Sequence, residues 1–293
     1  MLGAMEPLLE PFQAVFVQRA ALAGVLTATI CALAGTWIVV RGLAFLGEAL
    51  SHGVLPGIAL ASLGGLPALL GGAVSAAVMA GGIQALRRSR RIGQDTAIGL
   101  LFVGMLALGV VIISRSEAFA TDLTGILFGE ILAVRDDDLR VLVAAAMITI
   151  IGVTLAHRPL LASSGDPLVA RALGYRPGIW QAVLLGLLTL AITSGFHAVG
   201  TLLVVGLLLA PPATALLLVR RLPLAILTAA ALGTGAVLLG LLVSWHAGTA
   251  AGASIVLVAV AQFAAAWLLS LGRRARQRPA PLSTPLARAE SPA

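Results

Sequence analysis

The sequence predicts an all-α, polytopic integral membrane protein, and three observations predict it. Of its 293 residues 59% are hydrophobic and only 11% charged, where a water-soluble domain carries about 25% charged residues. The apolar residues gather into runs of about 20, each long enough as a helix to cross roughly 30 Å of hydrocarbon. Glycine is abundant, at 33 residues, while aromatics fall to 4%, a balance suited to helices packed closely on one another rather than to a barrel with aromatic girdles.

Nine runs qualify as spans: residues 20–40, 44–63, 67–86, 95–114, 139–156, 178–196, 199–219, 223–244 and 252–271. A tenth apolar stretch, 121–133, is only about thirteen residues long, or roughly 20 Å as a helix, too short to cross easily. It reads as a re-entrant or short lateral helix, so the architecture is about eight to nine transmembrane helices plus this element. Arginine fixes the orientation, because basic residues collect on the cytoplasmic side. Arg87, Arg88, Arg90 and Arg91 form the strongest inside signal, joined by Arg220 and Arg221 and by Arg273, Arg274 and Arg276. With 121–133 returning to the side it leaves, fifteen of the nineteen arginines lie inside, and only Arg19, Arg115, Arg135 and Arg140 outside. The sequence pI near 11.4 is thus a topology signal, and a nucleic-acid partner is not needed to explain it.

The same parity puts residues 1–18 outside as an extracytoplasmic segment lacking the positive n-region of a secretory signal. One membrane domain follows over 19–272. The stretch 273–293, rich in Pro, Ala and Ser, reads as a disordered cytoplasmic tail.

Several chemistries are excluded. The chain has no Lys and no Asn, so it cannot build a phosphate loop and hydrolyse nucleotide by itself. Its single cysteine, Cys31, allows neither an intramolecular disulfide nor a thiol zinc site. Ser51 and His52 are neighbours on a helix and point about 100° apart, so they form no nucleophile and base pair, and no G-x-S-x-G elbow occurs. The chain reads as a non-enzyme with no permanently bound cofactor.

Ionisable residues at membrane depth are costly and need a reason. The second span holds two, in Leu46-Gly47-Glu48-Ala49-Leu50-Ser51-His52-Gly53, with Pro56 shortly after. Spacing i, i+4 sets carboxylate and imidazole on one helix face a turn apart, able to bind one divalent cation together. Oxygen plus nitrogen suits zinc or manganese better than magnesium or copper(I). Pro56 and the nearby glycines loosen the helix just beyond the pair, which would turn backbone carbonyls toward a cavity. A Glu–His hydrogen bond that locks helices together accounts for the same spacing, and both readings stand. His197, between the sixth and seventh spans, is a further candidate metal ligand, with a packing role as the simpler alternative. His246 follows Trp245 in an outside loop, where an interfacial aromatic suffices. His157 stands beside Arg158 at an inside helix end, in a cap or headgroup role.

The inside stretch 163–177 reads as one short helix. Ser164 or Asp166 can cap its start, Pro167 fits its first turn and Gly174 can end it. Its apolar face, Leu168, Val169, Ala172 and Leu173, could lie on lipid headgroups or dock in a groove of a partner.

Taken in order, these residues resemble the permease subunits of the zinc/manganese ABC importers, the family often called ABC-3. The matching motifs are Gly47-Glu48-Ala49-Leu50-Ser51-His52-Gly53-Val54-Leu55-Pro56-Gly57, Asp95-Thr96-Ala97-Ile98-Gly99 and Leu127-Phe128-Gly129-Glu130-Ile131-Leu132-Ala133-Val134. Then come Asp166-Pro167 with Ala172-Leu173-Gly174, Val199-Gly200-Thr201-Leu202-Leu203, and Leu209-Ala210-Pro211-Pro212-Ala213-Thr214-Ala215. Family members more usually carry Asp at the position of Glu48, which keeps the charge with a shorter reach. The resemblance implies a multi-pass bacterial plasma-membrane homodimer, bathed in membrane lipid, that pairs with two cytoplasmic ABC ATPases and takes zinc or manganese from an extracytoplasmic metal-binding protein. It also implies that Asp166, Pro167, Leu168, Ala172, Leu173 and Gly174 form the coupling helix that fits the ATPase, and that Glu48 and His52 ligate the transported ion. The rival class is an ion-coupled secondary metal transporter acting without an ATPase. Scarce buried acids argue against it, since Glu48 is the only carboxylate well inside a span.

Overall fold

The computed structural model describes residues 10–86, 93–114 and 130–276. Eleven α-helices run through them: α1 (Val15–Val40), α2 (Ala44–Gly53), α3 (Leu55–Leu63), α4 (Ala68–Leu86), α5 (Gln94–Ile113), α6 (Asp136–Gly165), α7 (Pro167–Ala172), α8 (Pro177–Val199), α9 (Thr201–Leu218), α10 (Leu222–Ala247) and α11 (Ala251–Arg276). Two 3₁₀ turns, Glu10–Gln13 and Ile131–Ala133, precede α1 and α6. Nine segments of this set are long and apolar enough to cross a membrane, α2 and α3 together making one of them. Each overlaps one of the nine expected runs.

Helix α1 is the axis of the bundle. Ala20, Ala23, Ala28, Ile30, Cys31, Ala34 and Ile38 are buried, and α6, α8, α9 and α10 pack around it. Small residues make these contacts possible. A Cβ on Gly24 would strike Val237 of α10, and one on Gly35 would strike the Leu208 carbonyl of α9. Helices in lipid associate by close van der Waals fit, because apolar burial alone separates no helix from the tails around it. A second group, α2 to α5, leans on this centre, with α4 against α8 and α2 against α8 and α9. Within it α3 and α4 cross backbone to backbone, since a Cβ on Gly57 would meet the Gly71 carbonyl and one on Gly71 the Gly57 carbonyl.

Contacts at the helix ends show which ends of the spans lie together. At one end, Arg41 after α1 reaches Ser164 and the Leu160 carbonyl near the end of α6 and Gln181 near the start of α8. There Gln84 of α4 also donates to the Gly178 carbonyl, at 3.3 Å. At the other end, Arg19 pairs with Asp136 at 3.0 Å, and Phe16 stacks on Trp245 with centroids 6.2 Å apart. The first end is the one that the arginine count assigns to the inside. Helix α5 runs parallel to α2 and α3, since Phe45 meets Phe102 while Gly109 lies against Leu55 and Pro56. It therefore finishes at the outer end, where α6 begins. Of the expected re-entrant helix, 121–133, residues 121–129 lie outside the described residues, and Ile131–Ala133 form the 3₁₀ turn before α6.

Two expectations need correction. Helix α6 does not stop near residue 156 but continues to Gly165, so Ser163, Ser164 and Gly165 belong to it and not to a helix spanning 163–177. Hydropathy registers where lipid ends, not where backbone hydrogen bonding ends, and at about 1.5 Å per residue a helix of this length outruns the hydrocarbon. For the same reason His157 does not cap a helix end. It lies within α6, edge-on to Trp37 at 5.5 Å.

Candidate metal site and coupling element

The second span is helical up to Gly53 and then breaks. Pro56 has no N–H to offer the His52 carbonyl, and its ring would crowd that oxygen. The same proline sits in the first turn of α3, where a missing N–H costs nothing. Val54 joins the two pieces, serving as C-cap of α2 and N-cap of α3. Thus Pro56 ends one helix and starts the next immediately beyond the ionisable pair, as its position in the sequence suggests. Of the carbonyls at the break, that of Gly53 accepts from Ser75 Oγ of α4 at 2.7 Å.

On α2, Leu46, Ala49, Leu50 and Gly53 face inward, leaving Phe45, Glu48 and His52 on the opposite stripe. His52 Nε2 donates to Glu48 Oε1 at 3.0 Å, with the side chains 21% and 40% exposed respectively. His52 Nδ1 is buried and has no hydrogen-bond partner. Phe102 of α5 stands edge-on to the imidazole at 5.6 Å and to Phe45 at 5.8 Å, so one aromatic ring lies against the histidine and is itself met by Phe45. Glycine lets α2 approach its neighbours: a Cβ on Gly47 would come within 2.7 Å of Leu208 Cδ2, and one on Gly53 would strike Met79. The Ser51 hydroxyl returns to the Gly47 carbonyl at 2.9 Å, in keeping with its exclusion as a nucleophile.

The structure thus brings Glu48 and His52 together. Among the described residues no group of three or more His, Cys, Asp and Glu converges. His197 lies in the last turn of α8, and its side chain is outside what the structure describes. His246 hydrogen-bonds through Nδ1 to the Leu242 carbonyl at 2.9 Å, a local contact at the outer end. Phe102 and Ser75 escape a sequence reading because an apolar or small residue in an apolar span carries no signal of its own. Arg41 registers there only as one inside charge.

At the inner end the chain makes a second constellation. Asp166 Oδ1 accepts the Leu168 N–H at 2.7 Å and Pro167 opens α7, while Ser164 belongs to α6. Gly174, with φ of 82°, closes the helix: its N–H bonds to the Arg171 carbonyl at 2.9 Å and that of Tyr175 to the Ala170 carbonyl at 3.0 Å, the paired closure that a left-handed glycine permits. Ala170 is buried against the bundle, whereas Leu168, Val169 and Leu173 are 68%, 52% and 62% exposed. A short helix held by caps at both ends therefore presents three large apolar side chains beyond the arginine-rich face.

The chain matches the ABC 3 transport family over residues 13–270. It belongs to that family. The manganese transport system membrane protein of Halalkalibacterium halodurans is 38% identical over 255 residues, 87% of each chain. The manganese import system permease protein of Streptococcus gordonii is 35% identical over 263 residues, 90% of this chain and 94% of the relative. Among solved structures, PsaBC from Streptococcus pneumoniae in complex with a Fab superposes with a TM-score of 0.81 at 33% identity, covering 94% of this chain and 98% of that one. As a member of the ABC 3 family, the chain is a multi-pass transport permease of the bacterial plasma membrane.

Proposed function

We propose that this ABC 3 permease imports a divalent transition metal, manganese first, and that Glu48 and His52 are its transient ligands. The observation that carries the reading is a carboxylate and an imidazole 3.0 Å apart on a span broken just beyond them. An ion replacing the proton on Nε2 would sit between Oε1 and Nε2. Manganese is put first because it is the metal named in both relatives above. Zinc, the other ion compatible with an oxygen and nitrogen pair, becomes the competitor.

Two protein ligands per chain suit a carrier, which must offset the charge of the ion and yet let it leave. A second copy of the chain would cover the exposed edge of Glu48 and supply a second pair, making a homodimeric pore. An extracytoplasmic binding protein delivers the ion to the outer end. A separate ATPase engages Leu168, Val169, Ala172 and Leu173 of the helix bounded by Asp166, Pro167 and Gly174, and supplies the energy this lysine-free chain cannot obtain from nucleotide itself. A secondary transporter working without an ATPase would need neither family membership nor this protruding helix.

Uptake of Mn²⁺ into vesicles bearing the whole complex tests the site. Glu48→Gln and His52→Ala should each abolish uptake while the assembled complex is recovered at wild-type yield. Wild-type uptake by both variants would overturn the assignment, and Zn²⁺ competing better than Mn²⁺ would change the ion.

A further inference from the structure

The turn between the first two spans holds a residue that the metal site and α7 do not account for. Helix α1 ends in a glycine closure. Gly42 has φ of 65°, its N–H bonds to the Val39 carbonyl at 3.1 Å, and that of Leu43 bonds to the Ile38 carbonyl at 2.9 Å. This double bond pattern fixes the C-cap residue, Arg41, to the axis of α1. Ala44 begins α2 three residues later, so Arg41 stands at the base of the helix that carries Glu48 and His52.

Its guanidinium reaches two other helices. Nε donates to Ser164 Oγ at 3.0 Å, Nη1 to Gln181 Oε1 at 2.6 Å and Nη2 to the Leu160 carbonyl at 3.2 Å. Ser164 itself donates to the Leu160 carbonyl at 2.7 Å, which ties the acceptors on α6 to one another. Leu160 and Ser164 belong to the last turns of α6, directly before α7, and Gln181 to the second turn of α8, directly after it. One planar cation therefore grips both stems of α7 and the root of α2. A charge needed only to set membrane orientation would satisfy itself with lipid headgroups and water. Three directed bonds to two helices, two of them to side chains, are what the rigid fork of arginine makes and the single ammonium of lysine does not.

We propose that Arg41 is the positioning residue that transmits movement of α7 to the Glu48 and His52 helix. The proposal rests on the transport reading above, with α7 as the element on which the ATPase acts. Displacement of α7 moves its stems, the stems move the guanidinium, and the tight turn at Gly42 and Leu43 passes the motion to α2. Without the fork, α7 moves and α2 stays.

The test uses the full chain reconstituted with its ATPase and binding protein in proteoliposomes, reading Mn²⁺ ions taken up per ATP hydrolysed and, separately, Mn²⁺ bound by the nucleotide-free complex. Arg41→Ala should assemble, bind Mn²⁺ within about twofold of wild type and lose at least about tenfold in ions per ATP, inside the usual range of coupling between linked sites. Arg41→Lys should recover part of the ratio. Gln181→Ala, which removes the shortest bond and keeps the charge, should lower the ratio as well, and the double variant should be no worse than Arg41→Ala alone. Ser163→Ala, whose hydroxyl bonds back to the Pro159 carbonyl, should keep it. An unaltered ratio in Arg41→Ala, or a fall that only follows lost assembly or lost metal binding, overturns the proposal. Should Arg41→Ala fail to accumulate, an unaltered ratio in Gln181→Ala overturns it. A wild-type complex that hydrolyses ATP and carries no Mn²⁺ overturns the transport reading and the tie together, and that failure is read in the wild type before any variant is compared.

Discussion

A carboxylate at membrane depth costs roughly 2.5–3.5 kcal/mol on insertion scales, and Glu48 is 40% exposed on a spanning helix. The bond from His52 offsets part of this cost, and an ion or a second chain against the open edge would offset more. The pair is legible in the sequence because both members lie within one helical turn of one span. Its surroundings are not. Phe102 comes from another helix, fifty residues further along the chain, and sits in a stretch apolar on all sides, so no periodicity singles it out. Its ring holds the imidazole by an edge contact of a kind worth about 0.5–1.5 kcal/mol. Phe102→Ala should accordingly weaken Mn²⁺ binding to the purified complex by about 2- to 12-fold, read by equilibrium titration. Unchanged affinity would show that the ring does not orient His52.

Helix α7 is the element whose punctuation the sequence spells out most fully, with Asp166, Pro167 and Gly174 each in the expected role. Helices this short are not stable by propensity, and a lost N-cap typically costs about 1 kcal/mol, so the caps and the buried Ala170 carry its order. Its far face, with Leu168 and Leu173 more than 60% exposed, has nothing to bury against among the described residues. Replacing both leucines with Asp should leave the bundle intact and remove stimulation of the ATPase by the permease, measured as hydrolysis with and without binding protein. Full stimulation in that variant would send the docking surface elsewhere. What stayed illegible at this scale was the end of α6, because lipid and helix end at different places. Hydropathy sees only the first. The break at Val54 was legible, since proline removes a named hydrogen bond whatever the tertiary surroundings.

Across the whole molecule, the ion pair of Arg19 with Asp136 lies at one end of the bundle and the bonds of Arg41 at the other, and the arginine count assigns outside and inside to those ends. The outward stripe of α2 and the exposed residues Leu100, Val103 and Val111 of α5 leave the candidate site at an edge of the single chain. An intact-mass measurement on the purified complex should find two copies of this chain. A single copy would leave Glu48 open to lipid and remove the second ligand pair from the pathway. The sequence by itself determined the number of spans, the ionisable pair and the caps of α7. Each of these is a local property: a run of apolar residues or a spacing within a turn or two. Only the tertiary structure decided which ring meets His52, how closely α3 and α4 approach, and that Arg41 joins the root of α2 to both stems of α7. Inside a membrane, contacts between helices are chosen by shape rather than by contrast with water. Apolar side chains that meet a neighbour therefore read the same as those that meet lipid.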